Sequence, residues 1–256
     1  MKKTIRVAAS FGLVALLATS GLSAYASDSS KAYVLNALED VSRAGSDSYS
    51  DVLSNRSVGS LVNSKNVAVR FNDGTTSIEV PWEARDGISI QSTSGSISVE
   101  LPFASSAVRA EKLADGLVAF DNLNGTFTVP VVKADGSVAV TSILKSADSA
   151  NRFEYRFGLP KGVRLVLDSV SGAVDAIDGQ GRWFAGVAKP WARDSRGADV
   201  PTHFELKGNV LIQSVDSHSK NFSYPIVADP WLGLNLIQRT TWAKSLFQFL
   251  EKSASQ

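Results

Sequence analysis

The stretch from Ala188 to Trp231 reads A-K-P-W-A-R-D-S-R-G-A-D-V-P-T-H-F-E-L-K-G-N-V-L-I-Q-S-V-D-S-H-S-K-N-F-S-Y-P-I-V-A-D-P-W. Two runs of alternating apolar and polar residues meet at Gly208-Asn209, residues that tolerate the positive φ of a tight hairpin turn. A Pro-Trp and a glycine-bearing turn precede them, and Tyr224-Pro225-Ile226-Val227-Ala228-Asp229-Pro230-Trp231 closes the stretch. Proline cannot donate to a strand ladder, so Pro225 and Pro230 bracket a terminal strand. The pattern predicts the last strands of a β-sandwich, with earlier strands of the same sheets upstream.

Working outward, the same period of two recurs. Val67–Phe71 and Ser77–Trp82 flank Asn72-Asp73-Gly74, and Ile88–Ser92 faces Ser96–Leu101 across Thr93-Ser94-Gly95. Leu117–Phe120 meets Thr126–Val129 across Asn122 to Gly125, and Val131-Val132 and Val138–Leu144 flank Ala134-Asp135-Gly136. Arg152–Leu159 sets Phe153, Tyr155 and Phe157 on one face and Arg152, Glu154 and Arg156 on the other, the signature of a half-buried strand. Val163–Asp168, Ala173–Ile177 and Arg182–Val187 follow, then Phe204–Leu206, Val210–Val215 and Phe222–Ala228. Short strands separated by turn signals, with little helix, argue a sandwich or barrel.

The ends differ. Lys2, Lys3 and Arg6 precede the apolar run Val7–Leu22, and Ala24-Tyr25-Ala26 is an A-x-A cleavage site. This reads as a secretory leader over residues 1–26, since the apolar run falls short of the roughly 20 residues a span needs. No later run is long enough to span a bilayer, and no L-P-x-T-G sorting pattern follows. The mature chain is expected to be secreted, or held non-covalently at the cell wall. Ser30–Arg43 carries Tyr33, Val34, Ala37, Leu38 and Val41 at helical spacing, with Ser30 as its cap. Ala44–Lys65 is rich in Ser, Asp and Asn and reads as a linker or loose surface segment. Beyond Pro230, Leu234–Lys252 clusters Leu236, Ile237, Leu246, Phe247 and Leu250 on one side, predicting an amphipathic helix.

The expected class is therefore mainly β: one or two antiparallel β-sandwiches with a short N-terminal helix and a C-terminal amphipathic helix. The divisions are the leader at 1–26, helix and linker at 27–65, the β region at 66–230 and the terminal helix at 231–256. A break near Asp148-Ser149-Ala150 would split the β region in two.

Composition narrows the chemistry. The 256 residues include no cysteine, which excludes disulfides, thiolate metal sites and a cysteine nucleophile. Of 26 basic residues three belong to the leader, leaving 23 against 25 acidic, a net charge of −2. A near-neutral chain has no bulk attraction for nucleic acid. His203 and His218 are its two histidines, and neither lies in a recognisable nucleophile arrangement. No G-x-S-x-G elbow, H-E-x-x-H or P-loop is present, so no catalytic residue or cofactor is assigned. Asp168, Asp175, Asp178, Asp194, Asp199, Asp216 and Asp229 could be read as calcium ligands, but no D-x-D-x-D-G run occurs and the turn preference of Asp explains them.

Pro190-Trp191, Gly197, Val200-Pro201-Thr202, Gly208 and Tyr224-Pro225 through Asp229-Pro230 resemble a segment of exported proteins of Gram-positive bacteria, especially actinobacteria. The strand end is similar to the Y-P-V-x-x-D-P of wall-associated YD-repeat (Rhs-like) proteins. The resemblance covers roughly the last third of the β region. It implies export and a sandwich-like unit, and it assigns no activity.

Two sets of residues stand out. Tyr224, Pro225, Asp229 and Pro230 read as structural, with the Tyr224 hydroxyl reaching backbone and Asp229 accepting from nearby amides. Trp82, Trp191 and Trp231 each follow a proline, and exposed indoles could form a sugar-stacking platform. Core or edge packing is the preferred reading of large aromatics. The functional expectation is a secreted, non-enzymatic interaction module of the cell surface or wall, whose partner is a wall polymer or another surface protein. The alternative is a carbohydrate-binding module or hydrolase acting on wall polysaccharide.

Overall fold

Glycines and Asx side chains set the hairpins, and the hairpins set the sheets. In the computed structural model, which describes residues 19–44, 52–57, 60–61, 64–218 and 221–234, the chain is mainly antiparallel β in two sheets. Among the described residues its single α-helix is α1 (Thr19–Ala44).

The first sheet contains β1 (Ser60–Leu61), β2 (Val67–Asn72), β3 (Thr76–Pro81), β4 (Ile88–Ser92) and β5 (Gly95–Glu100) in sequential order. The second begins with β6 (Glu111–Ala114), β7 (Leu117–Asp121), β8 (Thr126–Val132) and β9 (Val138–Leu144). Then β10 (Arg152–Gly158) returns to the first sheet beside β5. Next, β11 (Arg164–Leu167), β12 (Val174–Ile177), β13 (Trp183–Val187) and β14 (Trp191–Arg193) belong to the second sheet. The hairpin β15 (Thr202–Lys207) and β16 (Val210–Val215) completes the first sheet against β10. Finally β17 (Ile226–Asp229) and β18 (Trp231–Gly233) both pair with β9.

Alternation does what it predicts in the first sheet. On β10, Phe153, Tyr155 and Phe157 are buried while Glu154 and Arg156 face water. Partners in register share a face, so Ile90 lies opposite both Ile78 and Ile97. One buried cluster draws Ile78, Val80, Ile90, Val99 and Tyr155 from the first sheet and Phe120, Val140, Val187 and Ile226 from the second. Both sheets thus contribute side chains to one buried core.

In the second sheet every residue of β8 and β9 is buried. Its far face carries Leu117, Phe127, Val129, Val131, Ala139, Ile143 and Val227, covered by Val34, Ala37, Leu38 and Val41 of α1 and by Val52. Each large aliphatic side chain removed from water contributes about 1.5–3 kcal/mol, so tertiary burial rather than propensity holds this helix. Pro130 sits inside β8 without breaking it. It lies opposite Val140, whose N–H goes to Pro230 on the other side of β9. The Pro130 nitrogen thus also points away from β9, toward a flank where the β7 ladder has already ended at Phe120 and Thr128.

Four sequence expectations change. The helix starts at Thr19, ahead of the A-x-A site, so Ser30 lies inside it and does not cap it. Part of the supposed linker is pinned to β8: Ser57 N–H donates to Val132 O, Ala134 N–H to Asn55 O, and Arg56 bridges Lys133. The terminal unit does not begin as a helix at 231, because Trp231–Gly233 is a strand that β9 recruits. The helix expected over Leu234–Lys252 falls almost wholly outside the described residues. The bend at Asp148-Ser149-Ala150 separates no sheets, since strands from both sides of it enter each one. There the buried Ser149 hydroxyl donates to Gly125 O and accepts from the amides of Lys145 and Ser146.

Candidate functional site

Asp229 lies on β17 opposite Trp191 of β14. Alternation sends Ile226 and Ala228 into the core that both sheets share and Val227 to the helix-covered face, so Asp229 joins Val227 there. The same logic takes Lys133, two residues past Val131 on β8, to that face. Pro230 interrupts the strand, and Trp231 resumes it opposite Ala139. Three segments that are distant in sequence thus bring Lys133, Trp191, Asp229 and Trp231 together.

Lys133 is 2% exposed. Its ammonium donates to the Val52 and Ser54 carbonyls, the latter at 2.9 Å, and lies 5.2 Å from the centroid of the Trp231 ring. A buried ammonium needs acceptors or a counter-charge to offset lost hydration, and cation–π contact adds to both. The Trp231 indole N–H is itself held, donating to Ser137 Oγ at 2.6 Å.

Asp229 is 1% exposed, and neither carboxylate oxygen has a hydrogen-bond partner. Burial pushes its carboxyl up to about 7, against the lowering effect of the Lys133 charge and the Trp191 indole. The expectation that Asp229 accepts from nearby amides is therefore corrected: neither oxygen meets an amide, and Pro230 beside it has no N–H to offer. On the core side of β9, Ser142 Oγ and the Tyr155 hydroxyl lie 3.2 Å apart. Burial, first, and the Asp229 charge push the Tyr155 hydroxyl well above its ordinary range.

The three tryptophans that follow prolines do not form one platform. Trp82 is half-buried, donates its indole N–H to Ser64 O at 3.0 Å and carries the Arg109 guanidinium 5.1 Å from its ring centroid. Trp191 and Trp231 are half-buried on the far face of the second sheet. Tyr224, joined to Pro225 by a cis peptide bond, packs on the core and donates its hydroxyl to Ser217 O at 3.2 Å. Pro230 is buried.

Other polar candidates are spent on turns. Asp194 is fully buried; burial alone would raise its carboxyl, but the amides of Ser223, Ala198 and Arg196 outweigh it and hold the carboxyl below its ordinary range. Asp168 and Asp178 accept from amides of their own turns, Asp175 accepts from the Trp183 indole at 2.7 Å, and Asp199 pairs with Arg193 at 2.8 Å. His218 Nε2 donates to Ala147 O at 2.6 Å while its Nδ1 accepts from Asn151, so the ring ties one loop to another. His203 is exposed, 3.5 Å from Glu205. Among the described residues no group of three or more His, Asp or Glu side chains converges to hold a metal ion.

The open surface of the first sheet is a ladder of both signs. Arg70 meets Glu79, Arg156 meets Glu100 at 3.5 Å, and Arg152 reaches Glu154 at 3.8 Å and Glu205 at 3.5 Å. Beside it, Glu100, Arg152, Glu154 and Arg156 together with Phe103 and Val210 line a concavity of about 320 Å³.

Lys133 is the residue that sequence reading passes over. It stands in V-V-K-A-D-G-S-V, where a lysine next to a turn reads as solvent-facing. Its signal is the apolar run Val129-Pro130-Val131-Val132 that leads into it, in which no residue marks a polar face. Among the described residues no helix is long and apolar enough to cross a membrane. The chain matches no protein-family model, no curated protein and no solved structure.

Proposed function

We propose that this chain is an exported, non-catalytic β-sandwich protein of a Gram-positive, actinobacterial-type cell surface, where it binds another surface protein. The leader-like residues 1–26 and the Tyr-Pro to Asp-Pro strand end support export and the compartment. The observation that carries the binding reading is the mixed-charge ladder on the open face of the first sheet. Its paired Arg and Glu side chains flank a concavity with apolar residues in its wall. Alternating charges on a regular face suit recognition of a complementary protein surface, because they reward one register and penalise others. A sugar-stacking role has less support, since the indoles of Trp82 and Trp231 are half-buried with their N–H groups bonded inward.

The test is expression of the full chain in a Gram-positive host, fractionation, and binding of the exported product to cell walls with and without their proteins. Export, retention on protein-bearing walls, and loss of retention in Arg152→Glu/Arg156→Glu support the reading. Retention inside the cell, equal binding to protein-stripped walls, or hydrolysis of wall polymer refutes it.

A further inference from the structure

One buried ammonium in this molecule holds backbone carbonyls and also acts, through its charge, on a buried carboxyl of the same sheet face. On one side are the carbonyls of Val52 and Ser54, which Lys133 holds. On the other is the Asp229 carboxylate, buried and without a hydrogen-bond partner, yet favoured in its ionised form by the Lys133 charge. The carbonyls belong to the segment that follows α1. That segment also binds the helix, through Leu53 N–H to Ser42 Oγ, and packs Val52 among the helix side chains on the sheet.

We propose that Asp229 and Lys133 form a proton-controlled latch on the N-terminal helix. When Asp229 is neutral, the ammonium clasps Val52 and Ser54 and holds the segment against β8. When Asp229 loses its proton to solvent, the carboxylate becomes the stronger acceptor. An ammonium already makes charge-assisted bonds to carbonyls, and a carboxylate adds direct attraction between opposite charges, which a low-dielectric interior strengthens. Lys133 then turns toward Asp229, and the Val52–Ser57 segment loosens with the end of α1.

The groups around Asp229 allow this. Trp191 on β14 offers an indole N–H, and Thr141 on β9 a hydroxyl, each buried without a partner. Arg193, two residues along β14, is turned to Asp199. Arg56, opposite Lys133 in the bridge, is half-buried and within electrostatic reach of Asp115. Tyr155, on the core side, stays neutral. From α1 the buried residues are Val34, Ala37, Leu38 and Val41, none ionisable, and beside them packs Tyr33, whose hydroxyl burial raises above its ordinary range so that it stays neutral. Lys133 is therefore the cation that answers the charge of Asp229.

Hydrogen exchange on the full chain at pH 6 and pH 8, corrected for intrinsic rates, tests the latch at the amides of Ser57 and Ala134, which join the segment to β8. Protection should fall about tenfold between the two pH values, the range over which a carboxyl titrating near 7 changes from mostly neutral to mostly ionised. Asp229→Asn should keep high protection at both. Lys133→Met should show low protection at both. Wild-type protection that agrees within about twofold at the two pH values, or an Asn variant that retains the dependence, overturns the proposal. Should the variants fail to fold, carboxyl carbon NMR of the unsubstituted chain decides. An Asp229 midpoint near 7 supports the latch, and one below about 5 removes its switch.

Discussion

Replacing Asp229 by Asn turns the buried carboxylate into a quantitative test of the helix-covered site. The side chain keeps its shape and loses its charge. In the folded chain burial raises the Asp229 carboxyl from 3.8 to about 7. The folded state thus binds this proton more tightly than the unfolded one, and stability falls as pH rises between those two values. The full difference is about 4 kcal/mol at roughly 1.4 kcal/mol per pH unit. Between pH 5.5 and pH 8 about 2 kcal/mol of it is lost. Asparagine carries no such dependence, and its carbonyl oxygen can accept from the Trp191 indole. Urea titrations of wild type and Asp229→Asn at the two pH values, followed by far-ultraviolet circular dichroism, give the difference directly. The wild type should lose about 2 kcal/mol relative to the variant on going to pH 8. The variant should be at least as stable as wild type there. A difference that stays constant within about 0.5 kcal/mol, or one of opposite sign, refutes the buried, proton-binding Asp229.

Lys133→Met removes the donors for the Val52 and Ser54 carbonyls and the counter-charge of Asp229. It should destabilise by about 3–5 kcal/mol at pH 8 and by less at pH 5.5, read in the same urea titrations. Gly125→Ala should lower stability by about 1–3 kcal/mol in a thermal melt. Gly125 has φ +80°, and an added Cβ would stand 2.8 Å from Ser149 Oγ. Asp194 should give a pH effect opposite to that of Asp229. Its lowered carboxyl stabilises the fold above the ordinary carboxylate range, and that contribution is lost as pH falls through the folded value. In acid unfolding followed by circular dichroism, Asp194→Asn should therefore show a shallower loss below about pH 4 than wild type.

Much of the β architecture can be read locally. The turns at Asn72-Asp73-Gly74, Thr93-Ser94-Gly95, Ala134-Asp135-Gly136 and Gly208-Asn209 join the strands whose registers they set. The alternation of Phe153, Tyr155 and Phe157 with charged neighbours states which face of β10 is buried. Such features depend on residues a few positions apart, whose geometry is dictated by backbone sterics and a period of two. The site is another matter. Tyr224, Pro225, Asp229 and Pro230 are conspicuous in sequence, yet the residue Asp229 answers to is Lys133, nearly a hundred positions earlier.

What the sequence by itself determined is the set of strands, the turns between them and the apolar face of the N-terminal helix. Which strands become neighbours, and what covers the far side of the second sheet, only the tertiary structure decided. β9 takes β8 on one side and β17 and β18 on the other. That order places Lys133 and Asp229 under α1, where water is excluded. The meaning of a charge follows from its solvation. A lysine beside a turn and an aspartate before a proline are ordinary surface residues until packing takes their water away. Long-range pairing buried both on one face of the second sheet, and that burial is what pushes the Asp229 carboxyl up to about 7.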